Sequence, residues 1–393
     1  MEEYIRKPLR ENIDEMFIGP FGSSLKNESF VEKKDAYCMV YEQKHAIQKT
    51  MNVETRYVTK EKYEELKRFN IKGGDIIVSC RGTIGETFVI PLNAPIGIMH
   101  PSIMKIRLKE DVYDRQYFNL LLIKYLREHE AEANGSGVKM AISAKELSEV
   151  YFPVPPIDIQ KDIVSLFENV DNIISSRKQQ LLKLDELVKS RFVEMFGGAD
   201  YPTVLFENVC VFLRNGASIK QTKGAGGYPI TRIETLSNDV FNIDRLGYAD
   251  ITDLEKYQSY VLHNGDILIS HINSVAYLGR AVQYRGQLDT PIIHGMNLLC
   301  ARIVDSYNPT YIEWFFKTPM AKEYISTITK KAVNQASITT SDLKKMQVPN
   351  PPKNLQDQFA AFVEQIDKSK LEIQNSLEKL ETLKKALMQK YFG

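Results

Sequence analysis

The side chains best suited to touching a polar, anionic partner lie in loops rather than in the regular parts of the chain. In the first half they are Ser23, Ser24, Lys26, Arg81, Thr83 and Lys139. In the second half they are Lys220, Gln221, Lys223, Arg232, His271, Asn273, Arg280, Asn334 and Gln335. Arg and Lys pair with guanine edges and with phosphates, and Asn and Gln pair with adenine, so this mixture is suited to reading DNA. Any one of these residues is also ordinary solvated surface, so the reading rests on the set.

Signs of catalysis are scarce. There is no G-x-x-x-x-G-K-[S/T] loop for nucleotide phosphates, no H-E-x-x-H metal site and no G-x-S-x-G elbow. Asn350-Pro351-Pro352-Lys353 is like the Asn-Pro-Pro-aromatic motif of adenine methyltransferases but lacks the aromatic that stacks on the base. The first half has Val154-Pro155-Pro156-Ile157 at the matching place, and no Gly-rich S-adenosylmethionine motif precedes either copy. His100 and His294 occupy matched strand positions and read as framework residues. The Gly-rich run 224–227 follows no clear strand and opens no helix, so it reads as a loop that could lie on a DNA backbone rather than as a nucleotide cradle. The cysteines Cys38, Cys80, Cys210 and Cys300 are far apart and form no metal-type cluster. The expectation is no catalytic residue and no metal.

The elements that must carry these loops occur twice. Pro155-Pro156-Ile157-Asp158-Ile159-Gln160 opens a segment running to Gly197, and Pro351-Pro352-Lys353-Asn354-Leu355-Gln356 opens one running to Gly393. The two keep a constant offset of 196, as from Pro156 to Pro352 and from Gly197 to Gly393, with no gap. A Pro-Pro pair stops helix on its N-terminal side. Asp158 and Asn354 are expected as N-caps, and the two glycines as left-handed C-caps. In the first segment the apolar residues are Ile159, Ile163, Leu166, Val170, Ile173, Leu181, Leu184, Val188 and Met195. In the second they are Leu355, Phe359, Phe362, Ile366, Ile373, Leu377, Leu380, Leu387 and Tyr391. Their spacing predicts two helices about 55–60 Å long with a coiled-coil seam. An extra four-step in each (173 to 177 to 181, 369 to 373 to 377) predicts a matched stutter.

The rest of the chain repeats as well. Leu9-Arg10-Glu11-Asn12-Ile13 returns as Leu205-Phe206-Glu207-Asn208-Val209. Gly74-Asp75-Ile76-Ile77-Val78-Ser79 returns as Gly265-Asp266-Ile267-Leu268-Ile269-Ser270, a turn leading into a buried strand. Strands are also expected at 100–106 and 294–300, and helices at 114–132 and 309–322. Ser143 with Glu146 and Thr339 with Asp342 read as helix N-cap pairs. The middles, 19–65 and 215–260, differ most. The fold class is therefore α+β. Two similar globular domains, 1–152 and 199–348, are joined by two long antiparallel coiled-coil helices, 153–198 and 349–393, in a pseudo-twofold repeat. The antiparallel sense follows because a compact domain keeps its ends close. The helix-pair seam is expected from Ile163, Leu166, Val170, Leu181 and Leu184 against Phe359, Phe362, Ile366, Leu377 and Leu380.

Composition narrows the classes. Net charge is +1, so contact with nucleic acid must come from local patches rather than overall basicity. No apolar run reaches about eighteen residues, and the first residues are charged with no signal-peptide core, which suggests a cytoplasmic protein with reduced thiols and no membrane partner.

The chain resembles the specificity (S) subunits of type I restriction-modification systems over nearly its whole length. The likeness rests on the two Pro-Pro-x-x-x-Gln segments, the Gly-Asp-hydrophobic-Ser strands, the Ile-Ser/Thr-x-x-x-Leu pieces at 142–147 and 338–343, and the two-unit layout. One departure is visible: Ile159 and Leu355 stand where the family usually has Glu before the Gln. The resemblance implies two target recognition domains, each reading half of a bipartite site on double-stranded DNA, and helices that set the gap and dock two modification (M) subunits. It implies that S-adenosylmethionine belongs to the M subunits and ATP with magnesium to restriction (R) subunits, whose presence the sequence leaves open, with no cofactor on this chain. Two other readings stand beside it, a stand-alone or degenerate DNA methyltransferase or nuclease, and a coiled-coil scaffold.

Overall fold

The structure, a computed structural model, describes residues 4–81, 83–136, 143–198, 200–222, 226–237, 239–332 and 335–393. It divides into two compact units: Met1–Arg177 with Ser376–Gly393, and Lys178–Asn375. Each long helix is shared between the units, so neither unit stops at a helix boundary.

The first unit's elements include, in chain order, β1 (Arg6–Pro8), β2 (Ile13–Ile18), β3 (Ile76–Ser79), β4 (Thr87–Val89), β5 (Ile103–Leu108), α1 (Arg115–Ser136), β6 (Tyr151–Pro153) and α2 (Ile157–Phe196), of which α2 runs on into the second unit. The second includes β7 (Thr203–Leu205), β8 (Cys210–Asn215), β9 (Ile267–Ser270), β10 (Ala281–Gln283), β11 (Leu298–Ile303), α3 (Pro309–Phe315), α4 (Pro319–Ile328) and β12 (Gln347–Pro349). The chain ends in α5 (Lys353–Phe392), which returns to the first unit.

The two units share one plan. Each has a four-stranded antiparallel sheet, in the order β2-β5-β3-β4 and β8-β11-β9-β10. The central strands β3 and β9 are buried throughout, as their unbroken apolar runs require. A two-stranded clasp ties each unit's start to its end, β1 with β6 and β7 with β12. The middles differ: residues 38–99 build a four-stranded sheet containing one parallel pair, whereas 221–249 build a three-stranded antiparallel one.

The Gly-Asp motif sets the turn before each central strand. Gly74 and Gly265 take positive φ of 89° and 95°, a conformation open to glycine. The aspartate behind each glycine accepts a backbone bond across the turn, Asp75 from Lys72 at 2.9 Å and Asp266 from His263 at 2.8 Å.

The Pro-Pro-x-x-x-Gln motif joins each long helix to its globular part. Gln160 and Gln356 are fully buried. The Gln160 amide donates to the Pro155 and Val112 carbonyls at 2.8 and 3.0 Å, and its oxygen accepts from the Asp114 amide at 2.8 Å. Gln356 likewise donates to Pro351 at 2.9 Å and accepts from Asn308 at 2.8 Å. Asp114 and Asn308 cap α1 and α3, so one side chain fixes two helix starts.

Several sequence expectations change. The helices begin at Ile157 and Lys353, so Asp158 and Asn354 sit inside the first turn rather than at the N-cap; the Pro156 carbonyl accepts the first helical bond, from Gln160. Neither Gly197 nor Gly393 takes a positive φ; their amides bond Val193 and Gln389 in ordinary helical continuation. The helix expected at 309–322 is two helices, broken at Pro319 because proline offers no N–H to continue the ladder and Thr318 caps the second.

The seam also differs in phase. Over residues 160–188 of α2 a run of buried and half-buried positions follows Gln160, Ile163, Phe167, Val170, Ile174, Arg177, Leu181, Leu184 and Val188. Over residues 356–384 of α5 the matched run is Gln356, Phe359, Val363, Ile366, Lys370, Ile373, Leu377, Leu380 and Lys384. Steps of three and four alternate over these stretches, so the four-steps expected from 173 to 181 and from 369 to 377 are absent, and Ile173 is 46% exposed. Consecutive four-steps occur instead at the helix ends, from Val188 through Phe192 to Phe196 and from Lys384 through Met388 to Phe392. Of the expected seam residues, Ile163, Val170, Phe359 and Ile366 are buried, while Leu166, Leu181, Leu184, Phe362, Leu377 and Leu380 are half-buried. Adjacent apolar pairs, Leu166 with Phe167 and Ile173 with Ile174, leave the phase open in the sequence. Lys370 and Lys384 stand at half-buried positions that a charged residue can occupy by laying its stem along apolar surface.

The helices are antiparallel within each unit. In the first, Lys384 of α5 pairs with Asp171 of α2, and the Phe167 and Phe392 rings lie 5.9 Å apart. In the second, Lys370 pairs with Asp185 at 2.6 Å, and the Phe192 and Phe359 rings meet edge-on at 5.2 Å. The partner number falls as the other rises, which is the antiparallel sense. Both helix ends belong to the main core of their unit: Ile163, Phe167 and Phe392 pack with Ile76, Ile106 and Phe118, and Phe192, Phe196 and Phe359 with Ile267, Leu299 and Phe315. Each buried phenyl contributes roughly 2–3 kcal/mol.

Candidate nucleic-acid interface

In the first unit three loops meet at one end of the main sheet. Gly19, just beyond β2, donates its amide to the Ile103 carbonyl at 2.9 Å, and Cys80, just beyond β3, donates to Ser102 at 2.8 Å. The loop of Ser23, Ser24 and Lys26, the loop of Arg81 and Thr83, and the turn His100–Ser102 therefore share that end. The Ser79 hydroxyl ties the β3–β4 loop by donating to the Thr83 carbonyl at 2.6 Å and accepting from the Glu86 amide at 3.0 Å. Ser23, Lys26, Arg81 and Thr83 are exposed, and Ser24 is half-buried.

His100 bonds the Ser102 hydroxyl through Nδ1 at 2.7 Å. Burial holds its pKa below the ordinary value; Glu42 opposes this, and Arg56, Arg81 and Lys44 reinforce it. The same end of the unit thus has Arg56 and Lys44, both paired with Glu42, which sequence reasoning missed. They lie in the diverged middle, where no repeat singled them out. Lys139 lies outside the described residues.

The second unit repeats the anchoring in part, its β9–β10 loop being closed on itself as Gly85 closes on Ser79 in the first unit at 2.9 Å. The Ala217 amide donates to the His294 carbonyl at 2.8 Å, and Gly279 donates to Ser270 at 2.8 Å. The loop from β9 to β10 is longer here. Its Ile272–Asn273 pairs with Ala336–Ser337, which pairs in turn with Lys330–Lys331. That small ribbon gathers Asn273 and Gln335 and adds the exposed Lys330 and Lys331. The adjacent lysines beside Asn334-Gln335 were the available signal. Asn334 and Lys223 lie outside the described residues.

The remaining candidates divide by access. Lys220 is exposed. Arg232 and Gln221 are half-buried and bonded to each other at 2.5 Å. They fit beside Gly247, where a Cβ would lie 2.4 Å from the Arg232 Nε. Arg280 is held by Asp239 at 2.8 Å and by the Leu236 carbonyl at 3.0 Å, with its guanidinium 4.8 Å from the centre of the Tyr277 ring. His271 is buried, and burial lowers its pKa, so it is neutral near pH 7. His294 is pushed down to about 4, chiefly by burial. These two histidines are part of the scaffold beneath the loops and bring no positive charge to a phosphate.

Among the described residues no group of His, Cys, Asp and Glu could hold a metal ion. The four cysteines are free. Burial pushes the Cys80 thiol up to about 11 and Cys210 to about 12, so neither is a thiolate nucleophile at neutral pH. No helix among the described residues is long and apolar enough to cross a membrane.

A frame repeated in two units, with diverged polar loops at the same end of each sheet and a helix pair shared between them, defines a duplicated recognition module. The family model for the type I restriction modification DNA specificity domain matches it twice, at residues 21–186 and 202–385. The chain belongs to that family. It is 37% identical over 194 residues to a Methanocaldococcus jannaschii protein provisionally named the MjaX type I restriction enzyme specificity subunit, covering 49% of this chain and 45% of that one. It is 24% identical over 291 residues to the EcoKI type I restriction enzyme specificity subunit of Escherichia coli K12, covering 67% and 60%. The matches thus span about half the length of these relatives. Among solved structures, a chain from work on complex assembly and conformational transition of the type I R-M system superposes with a TM-score of 0.64 at 17% identity, covering 100% and 98%. The S subunit from M. genitalium superposes at 0.55 with 13% identity, covering 100% and 96%. These two likenesses show the fold.

Proposed function

We propose that this chain is the DNA-reading subunit of a type I restriction-modification complex, with each unit reading one half of a bipartite, asymmetric site. The observation that carries this is the double family match on units whose frames agree and whose polar loops differ at equivalent places. A repeated frame suits one way of docking on DNA, and unlike loops suit two different half-sites.

Contacts in this reading sort by chemistry. Exposed lysines such as Lys26, Lys220, Lys330 and Lys331 neutralise phosphates, which gives strong salt dependence. Arg81, Asn273 and Gln335 offer the donors and acceptors that distinguish bases. Arg232 and Arg280, already held by protein partners, position the loops around them.

The long helices set the gap between half-sites and dock two modification subunits, which the matched motifs in α2 and α5 would receive alike. S-adenosylmethionine belongs to those subunits, and ATP with magnesium to any restriction subunits, so this chain catalyses nothing and works in the cytoplasm beside the DNA. The test is methyl transfer from labelled S-adenosylmethionine to DNA carrying the site. Transfer is expected only when modification subunits are added; transfer by the purified chain alone would overturn the reading.

A further inference from the structure

Phe21 is the most exposed large hydrophobic side chain among the described residues, at 87%. A lone exposed apolar residue is ordinary on a protein surface. What sets Phe21 apart is that both legs of its loop are fastened. On one side Gly19 sits so close to the turn before β5 that a Cβ would lie 2.3 Å from the His100 carbonyl oxygen, and Pro20 is buried. On the other side the Ser24 amide closes a tight turn onto the Phe21 carbonyl at 2.8 Å, and Leu25 is buried with Val40, Val58 and Ile98. The chain therefore holds a phenyl ring at the apex of an anchored turn. Ser23 and Lys26 flank it, and Arg81 stands at the same end of the sheet.

We propose that Phe21 is an apolar wedge that the first unit sets against stacked base pairs of its half-site, partly unstacking one step; this rests on the DNA-reading function proposed above. Proteins kink duplexes by inserting Phe, Leu, Ile or Met side chains between base pairs while basic neighbours hold the backbone. An anchored ring flanked by a lysine and two hydroxyls has that composition. The second unit has the same anchoring, with a Cβ at Gly216 falling 2.4 Å from the His294 carbonyl oxygen, but its position two residues on is the exposed Ser218. The wedge belongs to one unit, so the two half-sites are deformed unequally.

The test uses the full-length chain at low salt and duplexes bearing its site, with 2-aminopurine placed at each position in turn. The wild-type chain is expected to raise 2-aminopurine emission at one step in one half-site only. Phe21→Ala is expected to lose that rise and to bind about tenfold more weakly. Phe21→Leu keeps most of both. Since the side chain packs on little of the protein, both variants should unfold at the wild-type temperature. Equal affinity and equal emission for wild type and Phe21→Ala would overturn the wedge and leave DNA reading intact. No preference of the wild-type chain for its site over unrelated DNA would overturn the DNA reading and the wedge with it.

Discussion

Arg302 grips Asp266 through two parallel bonds, Nε to Oδ1 and Nη2 to Oδ2, each 2.8 Å long. The first unit builds the same clasp from Arg107 and Asp75 at 2.7 and 2.8 Å. Each joins the turn before a central strand to the neighbouring strand. Both aspartates are almost fully buried, so each carboxylate depends on its arginine.

Arg302→Met should therefore destabilise the second unit by about 3–5 kcal/mol, because it strands a buried charge. Adding Asp266→Asn should restore most of that loss, since the amide carries no charge to strand. Urea unfolding of the single and double variants measures this. Equal losses for both would mean that the clasp contributes packing rather than charge pairing.

The phase of the helix seam makes a second prediction. Phe167 is buried in the core of the first unit, whereas Ile173 is 46% exposed. Phe167→Ala should cost about 3–5 kcal/mol. Ile173→Ala should change stability by less than about 0.5 kcal/mol. A large loss at Ile173 in thermal or urea unfolding would restore the stuttered seam.

Acid should loosen the protein through its buried histidines. His45, His100, His271 and His294 all have lowered pKa values, with burial as the leading cause. For His294 the folded value is about 4, against an ordinary 6.5. The unfolded chain then takes up the proton first. Stability is complete above about pH 6.5 and falls as the pH drops towards 4, by about 3 kcal/mol for this residue. His294→Gln should make the stability profile shallower across that window. An unchanged slope would mean that another group dominates.

The repeat, the helix pair and the Gly-Asp strands were legible because each leaves a periodic or glycine-marked trace in the sequence. The role of Gln160 and Gln356 was only half legible: spacing marked them as part of a motif, but their bonds to Asp114 and Asn308 join segments far apart in the chain. The seam near residue 173 was not legible because Ile173 and Ile174 are adjacent and periodicity alone does not choose between them; the structure buries Ile174 and leaves Ile173 46% exposed. At the candidate interface, residue type picked out Arg232 and Arg280 but could not show that Gln221 and Asp239 already hold them. Lys330 and Lys331 join Asn273 only through a strand pairing across more than fifty residues.

The measurement that bears most directly on the central claim is the DNA motif methylated in cells when one heptad is inserted after Arg177 and another after Ile373, matched positions of α2 and α5. A heptad keeps the seam in register and lengthens each helix by about 10 Å. The expected motif keeps both half-sites and widens their gap by about three base pairs. An unchanged gap in an active complex, or new half-sites, would contradict the assignment of sequence reading to the globular units and of spacing to the helices.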